Sequence, residues 1–282
     1  KHNLDDVYSL NNDYVNCLYS DRDGIIWIGT DKGGVNKYNI YQKKFESFKN
    51  NPSNNNSLSQ NTINAVYEDN SFLWIGTAGG GLNLYDKKKN LFRHYRHMAH
   101  QASTISSDFI SAIYRDSKGN TWLGTWGDGL NKLVDLNGMD GSFISFSHVD
   151  NDSSSLRNNF VSSILEDRYG NLWIGTLRGL DIFDRKSQRF IHLFNNKNGN
   201  PNIVEVGCLH QDKKGNLWIG TKYGLYKIEA EDVALIHTGN LNIKAKRFTN
   251  NASKYSLSGN YVISINEDRH GNLWCGTYGN GD

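Results

Sequence analysis

Six copies of one tetrapeptide decide what this chain can fold into. Trp-Ile-Gly-Thr stands at Trp27, Trp74, Trp122, Trp173, Trp218 and Trp274, with Leu123 or Cys275 in the Ile position of two copies. The copies are 47, 48, 51, 45 and 56 residues apart, so six of the seven tryptophans occupy one phase of a repeat. Self-similarity at this period marks a chain of repeated supersecondary units. Trp126 alone stands out of register.

The second unit shows what one repeat contains. From Asn61 to Tyr67, Ile63, Ala65 and Tyr67 alternate with Asn64 and Val66, the period of two that a strand requires. Leu73–Thr77 reads as a second strand. Elsewhere the link between them is Asp-x-x-Gly, as at Asp116–Gly119 and Asp167–Gly170, where Asp opens the turn and Gly takes a positive φ. Here Asn70-Ser71 replaces it, one residue shorter. The glycines Gly79, Gly80 and Gly81 lead to a third strand, Leu82–Tyr85. A polar turn, Asp86–Asn90, then gives a fourth, Leu91–Tyr95. Four short antiparallel strands in an up-and-down meander at this period are the signature of a propeller blade.

The fold class expected is therefore all-β, a β-propeller of four-stranded antiparallel blades. The blades fall at about 14–50, 61–97, 108–148, 159–195 and 202–249, with an incomplete one at 260–282. The fifth carries a longer third-to-fourth segment around Glu229 to Asn242. A closed ring removes edge strands, and five blades and a half supply no closure. The expectation is a fragment of a seven-bladed propeller, with Lys1–Asp13 a connector from an earlier blade: Ser9-Leu10 repeats in Ser57-Leu58 and Ser256-Leu257.

Composition narrows the classes. A hydrophobic share of 37% with 12% aromatic is that of a globular chain, and a net charge of +2 without a basic stripe argues against nucleic acid. No apolar run is long enough to span a bilayer, so no membrane contact is expected of this segment. Cys17 and Cys208 align with Ala65, Ala112, Ser163 and Ser264, a slot for a small side chain. Cys275 takes the Ile position, and no two cysteines share a ligand-like spacing. All three read as buried structural thiols.

In a meander, alternate loops share a face. The Gly-rich loops after Trp-Ile-Gly-Thr and the long interblade connectors open on one side and the tight turns on the other. The first set is longer and more variable, which makes it the better binding face. Its slots hold Asp31 and Lys32, Ala78, Trp126 and Asp128, Leu177 and Arg178, Lys222 and Tyr223, then Tyr278 and Asn280. Aromatic rings set among charged and amide groups suit an oligosaccharide: flat faces for C–H patches, polar groups for hydroxyls. The ligand-binding candidates are Asp31, Lys32, Trp126, Asp128, Arg178, Lys222, Tyr223 and Tyr278. At Trp126 the competing reading is a cover over a neighbouring loop.

Other signals are weaker. His94, His97 and His100 fall on an outer strand and its exit, where a spacing of three alternates faces, so no metal is expected. Asp21–Gly24 resembles the start of a calcium loop, but Asp23 becomes Lys118, Tyr169, Lys214 and His270 in other units; it reads as a turn. His210 would be a general base if it lined a channel, and more simply a core histidine. The glycine loops lead into strands and lack a following Lys-Ser/Thr, so they are not phosphate loops. No catalytic residue and no cofactor is expected.

Taken together, Ser-Leu-Ser-x-Asn, an apolar strand ending Glu-Asp, Gly-Asn-Leu-Trp-Ile-Gly-Thr and Gly-Gly-Leu-Asn-x-Tyr resemble the two-component regulator propeller repeat. The copies at Ser57 to Tyr85 and Leu156 to Phe183 look strongest. The resemblance implies the extracytoplasmic, periplasmic sensor region of a hybrid histidine kinase of Bacteroides-type bacteria. In such proteins tandem seven-bladed propellers precede a membrane helix and kinase, and oligosaccharides switch on polysaccharide-utilisation genes. It implies an oligosaccharide ligand, other domains of the same sensor chain and a homodimer as partners. Two alternatives stand beside it. One is a polysaccharide-lyase-type enzyme, which needs His210 with Arg178, Tyr223 or a metal converging on the channel. The other is a protein-docking scaffold.

Overall fold

Each blade follows from its alternation of apolar and polar residues, and the strands pair in chain order. In a computed structural model, residues 1–3, 5–6, 8–21, 23–136, 141–194, 203–251 and 253–279 are described. The first blade is β1 (Val15–Ser20), β2 (Ile25–Thr30), β3 (Gly34–Asn39) and β4 (Lys44–Phe48). The second is β5 (Ile63–Glu68), β6 (Phe72–Thr77), β7 (Leu82–Asp86) and β8 (Leu91–Tyr95). The third is β9 (Ile110–Arg115), β10 (Thr121–Thr125), β11 (Leu130–Asp135) and β12 (Ser142–Phe146). Next come β13 (Val161–Glu166), β14 (Leu172–Thr176), β15 (Gly179–Asp184) and β16 (Arg189–Leu193). The fifth blade is β17 (Val206–Gln211), β18 (Leu217–Thr221), β19 (Gly224–Ile228) and β20 (Lys246–Phe248), with helix α1 (Ala230–His237) between its last two strands. Strands β21 (Val262–Glu267) and β22 (Leu273–Thr277) form a two-stranded sheet. The fold is all-β, five propeller blades of four antiparallel strands and a partial sixth.

The chain divides into two compact units: residues 1–115 with 119–145, and residues 116–118 with 146–282. In the first unit β1 lies beside β5 and β5 beside β9; in the second, β13 lies beside β17 and β17 beside β21. First strands thus line up in succession within each unit. A register shift after the first residue of β1, β5 and β13 leaves Asn16, Asn64 and Ser162 outside the ladder. A bulge of this kind re-aims a side chain. Here it aims at the next blade: Asn16 Nδ2 donates to Ile63 O (3.0 Å), Asn64 Nδ2 to Ile110 O (3.0 Å), and Ser162 Oγ to Val206 O (2.5 Å).

Four of the six repeated tryptophans, Trp27, Trp74, Trp122 and Trp173, are core; Trp218 is half-buried, and Trp274, in the two-stranded sheet, is 67% exposed. Trp74 and Trp173 are fully buried, in clusters with Leu82, Ile110 and Leu123 in the first unit and with Leu180, Val206 and Ile219 in the second. Their indole N–H groups explain a residue that the sequence shows only as a turn former. Trp74, Trp173, Trp218 and Trp274 Nε1 donate to Asp69, Asp167, Asp212 and Asp268 Oδ2 at 3.0, 2.9, 2.8 and 3.1 Å. The same carboxylates accept from the turn backbone, as Asp167 does from Tyr169 N and Asn171 N, both at 2.9 Å. The turn aspartate is thus also the polar partner of the core tryptophan.

A second link joins each third strand to the connector ahead of its blade. Buried Asn36, Asn83 and Asn131 accept from the backbone N–H of Asn11, Ser59 and Ser106 at 3.0, 2.8 and 2.9 Å. In the fourth blade the pair becomes ionic. Asp181 replaces the Asn, and Arg157 donates to it from both N (2.8 Å) and Nε (3.0 Å). Burial pushes the Asp181 carboxyl above its usual range, while Arg157 and His192 pull it back.

The long segment of the fifth blade forms α1. Its buried Val233 and Ile236 join the core of that unit, and Glu231 and Asp232 favour its positive N-terminal end. All three cysteines are free, and each residue is half-buried rather than fully buried as the sequence suggests. Burial pushes the Cys17 and Cys208 thiols up to about 12. Their slot is small because each sits against a glycine on the next strand: a Cβ at Gly29 or Gly220 would meet Sγ at 2.5 or 2.4 Å.

Candidate functional site

The loops after each Trp-Ile-Gly-Thr and the connectors do meet on one side of each blade, through a repeated backbone hydrogen bond. The residue after the repeated Thr donates to the residue that enters the blade. In the first unit Asp31 N donates to Tyr14 O (2.9 Å), Ala78 N to Thr62 O (3.0 Å) and Trp126 N to Phe109 O (3.0 Å). In the second unit Leu177 N donates to Phe160 O (3.2 Å), Lys222 N to Glu205 O (3.2 Å) and Tyr278 N to Tyr261 O (2.8 Å). Each blade therefore presents two side chains from a fixed frame.

In the first unit Trp126 is 60% exposed beside Phe109 at 49%. Trp126 thus faces solvent, and as a cover for a neighbouring loop it would be buried. Asp128 is held at the backbone: its N–H reaches Thr125 Oγ1 (3.2 Å) and its carbonyl accepts from Ser106 Oγ (2.8 Å), leaving the carboxylate exposed. Asp31 Oδ1 accepts from Thr62 Oγ1 (3.1 Å), so this carboxylate anchors its loop to the next connector. Lys32 is exposed at a φ of 59° with its N–H on Thr62 Oγ1 (3.2 Å).

In the second unit Arg178 is exposed beside Leu177, with its N–H on Thr176 Oγ1 (3.3 Å). Lys222 and Tyr223 converge on a residue absent from the expected set, Glu205. Lys222 Nζ lies 3.0 Å from Glu205 Oε2, and Tyr223 Oη donates to Oε1 at 2.8 Å. These bonds hold the Glu205 carboxyl below its usual range and raise both Lys222 and Tyr223. Tyr278, 70% exposed, packs on Tyr261 with centroids 5.6 Å apart. Asn280 lies outside the described residues.

The missed residues share one slot, the one that enters each blade: Tyr14, Thr62, Phe109, Phe160, Glu205 and Tyr261. Four of the six are aromatic, and all four are exposed. An aromatic that recurs at a repeat position without being needed by the core was the signal available in the sequence.

The weaker sequence signals resolve into structural roles. His94 Nε2 meets Ser57 O (2.8 Å) and His97 Nδ1 meets Ile105 O (2.9 Å). His97 shares a latch with Asn50 and His148, whose side chains bond Leu58 O and Leu156 O. Among the described residues no three His, Cys, Asp or Glu are grouped to hold a metal ion. Asp21 Oδ1 accepts from Asp23 N (3.0 Å) and Ile25 N (2.8 Å), as in a turn; Arg22 lies outside the described residues. Burial lowers the His210 pKa, and its Nε2 stands 4.0 Å from Glu267 Oε2. His210 sits near the turn end of β17, five residues along from Glu205 and so ~16 Å from the Lys222–Tyr223 loop. The lyase constellation of His210 with Tyr223 is not assembled.

The first unit also holds a cavity of about 750 Å³ at the other end of the strands. It is lined by Tyr19, Asp23, Tyr67, Glu68, Asp69, Asn70, Ser71, Phe72, Trp74, Lys87, Arg115 and Leu136.

With this geometry in place, comparison with known proteins identifies the repeat. The model of the two-component regulator propeller matches residues 9–32, 104–127, 155–178, 190–223 and 256–279. These are two-component regulator propeller repeats. Each matched segment ends in the loop after a Trp-Ile-Gly-Thr copy. The Ser57–Tyr85 copy, whose turn is one residue short, lies outside the matched segments. No curated protein sequence matches the chain. Among solved structures, the chain is similar to the extracellular domain of the hybrid two component system BT3049 from B. thetaiotaomicron. The identity is 26% and the TM-score 0.81, over 100% of this chain and 34% of that one. It shares its fold with the extracellular domain of BT4673 from the same organism (22%, TM-score 0.59, 94% and 37%). It also shares it with virginiamycin B lyase from Staphylococcus aureus (13%, TM-score 0.66, 97% and 81%). The chain spans about a third of the length of the extracellular domains it matches. Among the described residues no helix is long and apolar enough to cross a membrane.

Proposed function

We propose that this regulator propeller is the periplasmic, ligand-sensing part of a hybrid two-component system and that its loop face binds an oligosaccharide. Binding would be passed to a histidine kinase elsewhere in the same protein, through a homodimer, to control polysaccharide-utilisation genes. The observation that carries this reading is the exposed aromatic set on the hydrogen-bonded loop frame: Phe109 and Trp126 in one unit, Tyr223, Tyr261 and Tyr278 in the other. Exposed rings on rigid supports offer faces to sugar C–H groups at little ordering cost. Arg178, Lys222, Asp128 and Glu205 supply donors and acceptors for hydroxyls. The similarity to extracellular domains of two-component systems supports the cellular setting.

Thermal-shift and calorimetric titration against a broad oligosaccharide panel test this reading, with Trp126→Ala and Tyr278→Ala alongside. The expected result is a stabilising ligand whose affinity falls by about tenfold or more in at least one variant, with unfolding unchanged. Full affinity in both variants would overturn the loop-face assignment. If no sugar binds and the same face instead holds two copies together, the segment is a docking scaffold.

A further inference from the structure

The cavity at the turn end of the first unit owes its character to a one-residue deletion. In the fourth, fifth and sixth blades the turn Asp-x-x-Gly-Asn closes on itself, whereas the first blade has Ile25 in the Asn position. Asn171, Asn216 and Asn272 each donate Nδ2 to their own turn aspartate, at 2.8, 2.8 and 2.9 Å. The shortened turn of the second blade has no such Asn. Arg115, from the end of β9, takes its place and donates NH1 to Asp69 Oδ2 at 2.9 Å. Beside it Lys87 pairs with Glu68 and donates to Asp69 O at 2.9 Å. Tyr19 and Tyr67 pack edge to face at 5.5 Å, with Tyr19 Oη on Glu68 O (3.0 Å), and half-buried Phe72 adds a further ring.

We propose that this cavity is a binding site for a short neutral oligosaccharide, separate from the loop face. Its volume lies within the range of about 300–1,000 Å³ usual for ligand sites. The charges select among ligand classes. Both cations already have carboxylate partners and Asp23 adds a third carboxylate, so an anionic ligand meets no free positive charge. An apolar ligand would strip water from two ion pairs without replacing its hydrogen bonds. A hydroxyl both donates and accepts, so one sugar hydroxyl can bridge the Arg115 guanidinium and the Asp69 carboxylate without changing the charge. The tyrosine and phenylalanine rings provide the surface for the sugar's C–H side.

Calorimetry on the Trp126→Ala, Tyr278→Ala background, in which the proposed loop face is disabled, isolates this site. Failure here is then distinguishable from failure of the loop-face reading. The probes are neutral trisaccharides of glucose, xylose and mannose, with trigalacturonate as the anionic comparison. At least one neutral probe should bind with about one-to-one stoichiometry, and trigalacturonate at least about tenfold more weakly. Arg115→Met should weaken binding about tenfold, the effect of one lost hydrogen bond to a charged group. Tyr67→Ala should do likewise, and Arg115→Met decides the matter if that variant fails to fold. No neutral binding at millimolar concentration, tighter binding of trigalacturonate, or unchanged affinity in folded Arg115→Met would each overturn the proposal.

Discussion

Replacing Asp181 by Asn should destabilise the chain strongly, although Asn is the residue three other blades use at that position. The Asp181 side chain is fully buried and that of Arg157 only 12% exposed. In Asp181→Asn the carboxamide oxygen still accepts from Arg157 N, but its NH2 faces the guanidinium, and a buried positive charge loses its counter-ion. Breaking a buried pair from one side costs ~3–5 kcal/mol. Arg157 NH2 keeps its bond to Leu193 O (2.8 Å), which places the expectation near the lower end, about 3 kcal/mol. Adding Arg157→Ser recreates the Ser59–Asn83 pair of the second blade, where Asn83 Nδ2 donates to Ser59 Oγ at 2.7 Å. The double variant should return to within about 1 kcal/mol of the parent, because a neutral pair replaces an ionic one that is costly to desolvate. Urea unfolding followed by tryptophan fluorescence gives all four corners of the cycle. A single variant costing under about 1 kcal/mol, or a double variant as unstable as the single, would refute the reasoning.

Three further expectations concern a core tryptophan, a turn aspartate and two thiols. Trp74→Ala removes a fully buried indole and should cost about 3–5 kcal/mol in the same melt; under about 1 kcal/mol would show that this ring is not core. The Asp268 carboxyl is held at about 2, from a usual 3.8, by bonds from Asn272, His270 and Trp274. A depressed carboxylate stabilises the fold above its unfolded pKa and loses that contribution as pH falls through the folded value. Asp268→Asn should therefore flatten the acid limb of stability between about pH 4 and pH 2, and an unchanged limb would count against it. Cys17 and Cys208, with thiols at about 12, should label with iodoacetamide at pH 8 on the order of a thousandfold more slowly than a free cysteine until the chain unfolds. Rapid native labelling would contradict their burial.

Much of the fold was legible because periodicity and turn chemistry agree. The predicted strands Leu73–Thr77, Leu82–Tyr85 and Leu91–Tyr95 match β6, β7 and β8 to within a residue at each end. What the sequence hid were bonds between residues distant along the chain. The turn aspartate's grip on the tryptophan five or six residues later was masked by its sufficient role as a turn former. The Asn16, Asn64 and Ser162 links depend on bulges, which shift register without a composition signal. Helix α1 was legible only as an over-long segment, since two buried residues in eight give little periodicity. At the loop face, Trp126 was visible because it broke the repeat. Phe109, Phe160 and Tyr261 were passed over because they kept to it and marked where blades begin.

The one bond that recurs in all six loops is made of main-chain atoms. The residue after each repeated Thr is tied by its own N–H to the carbonyl of the residue entering the blade, whatever either side chain is: Asp with Tyr, Ala with Thr, Trp with Phe, Lys with Glu. Support and display are therefore uncoupled. A mutation in these slots that keeps the backbone N–H changes what the surface offers and leaves this recurring bond in place. Such a surface can be re-lettered one residue at a time, each change reaching a new partner with no intermediate that fails to fold.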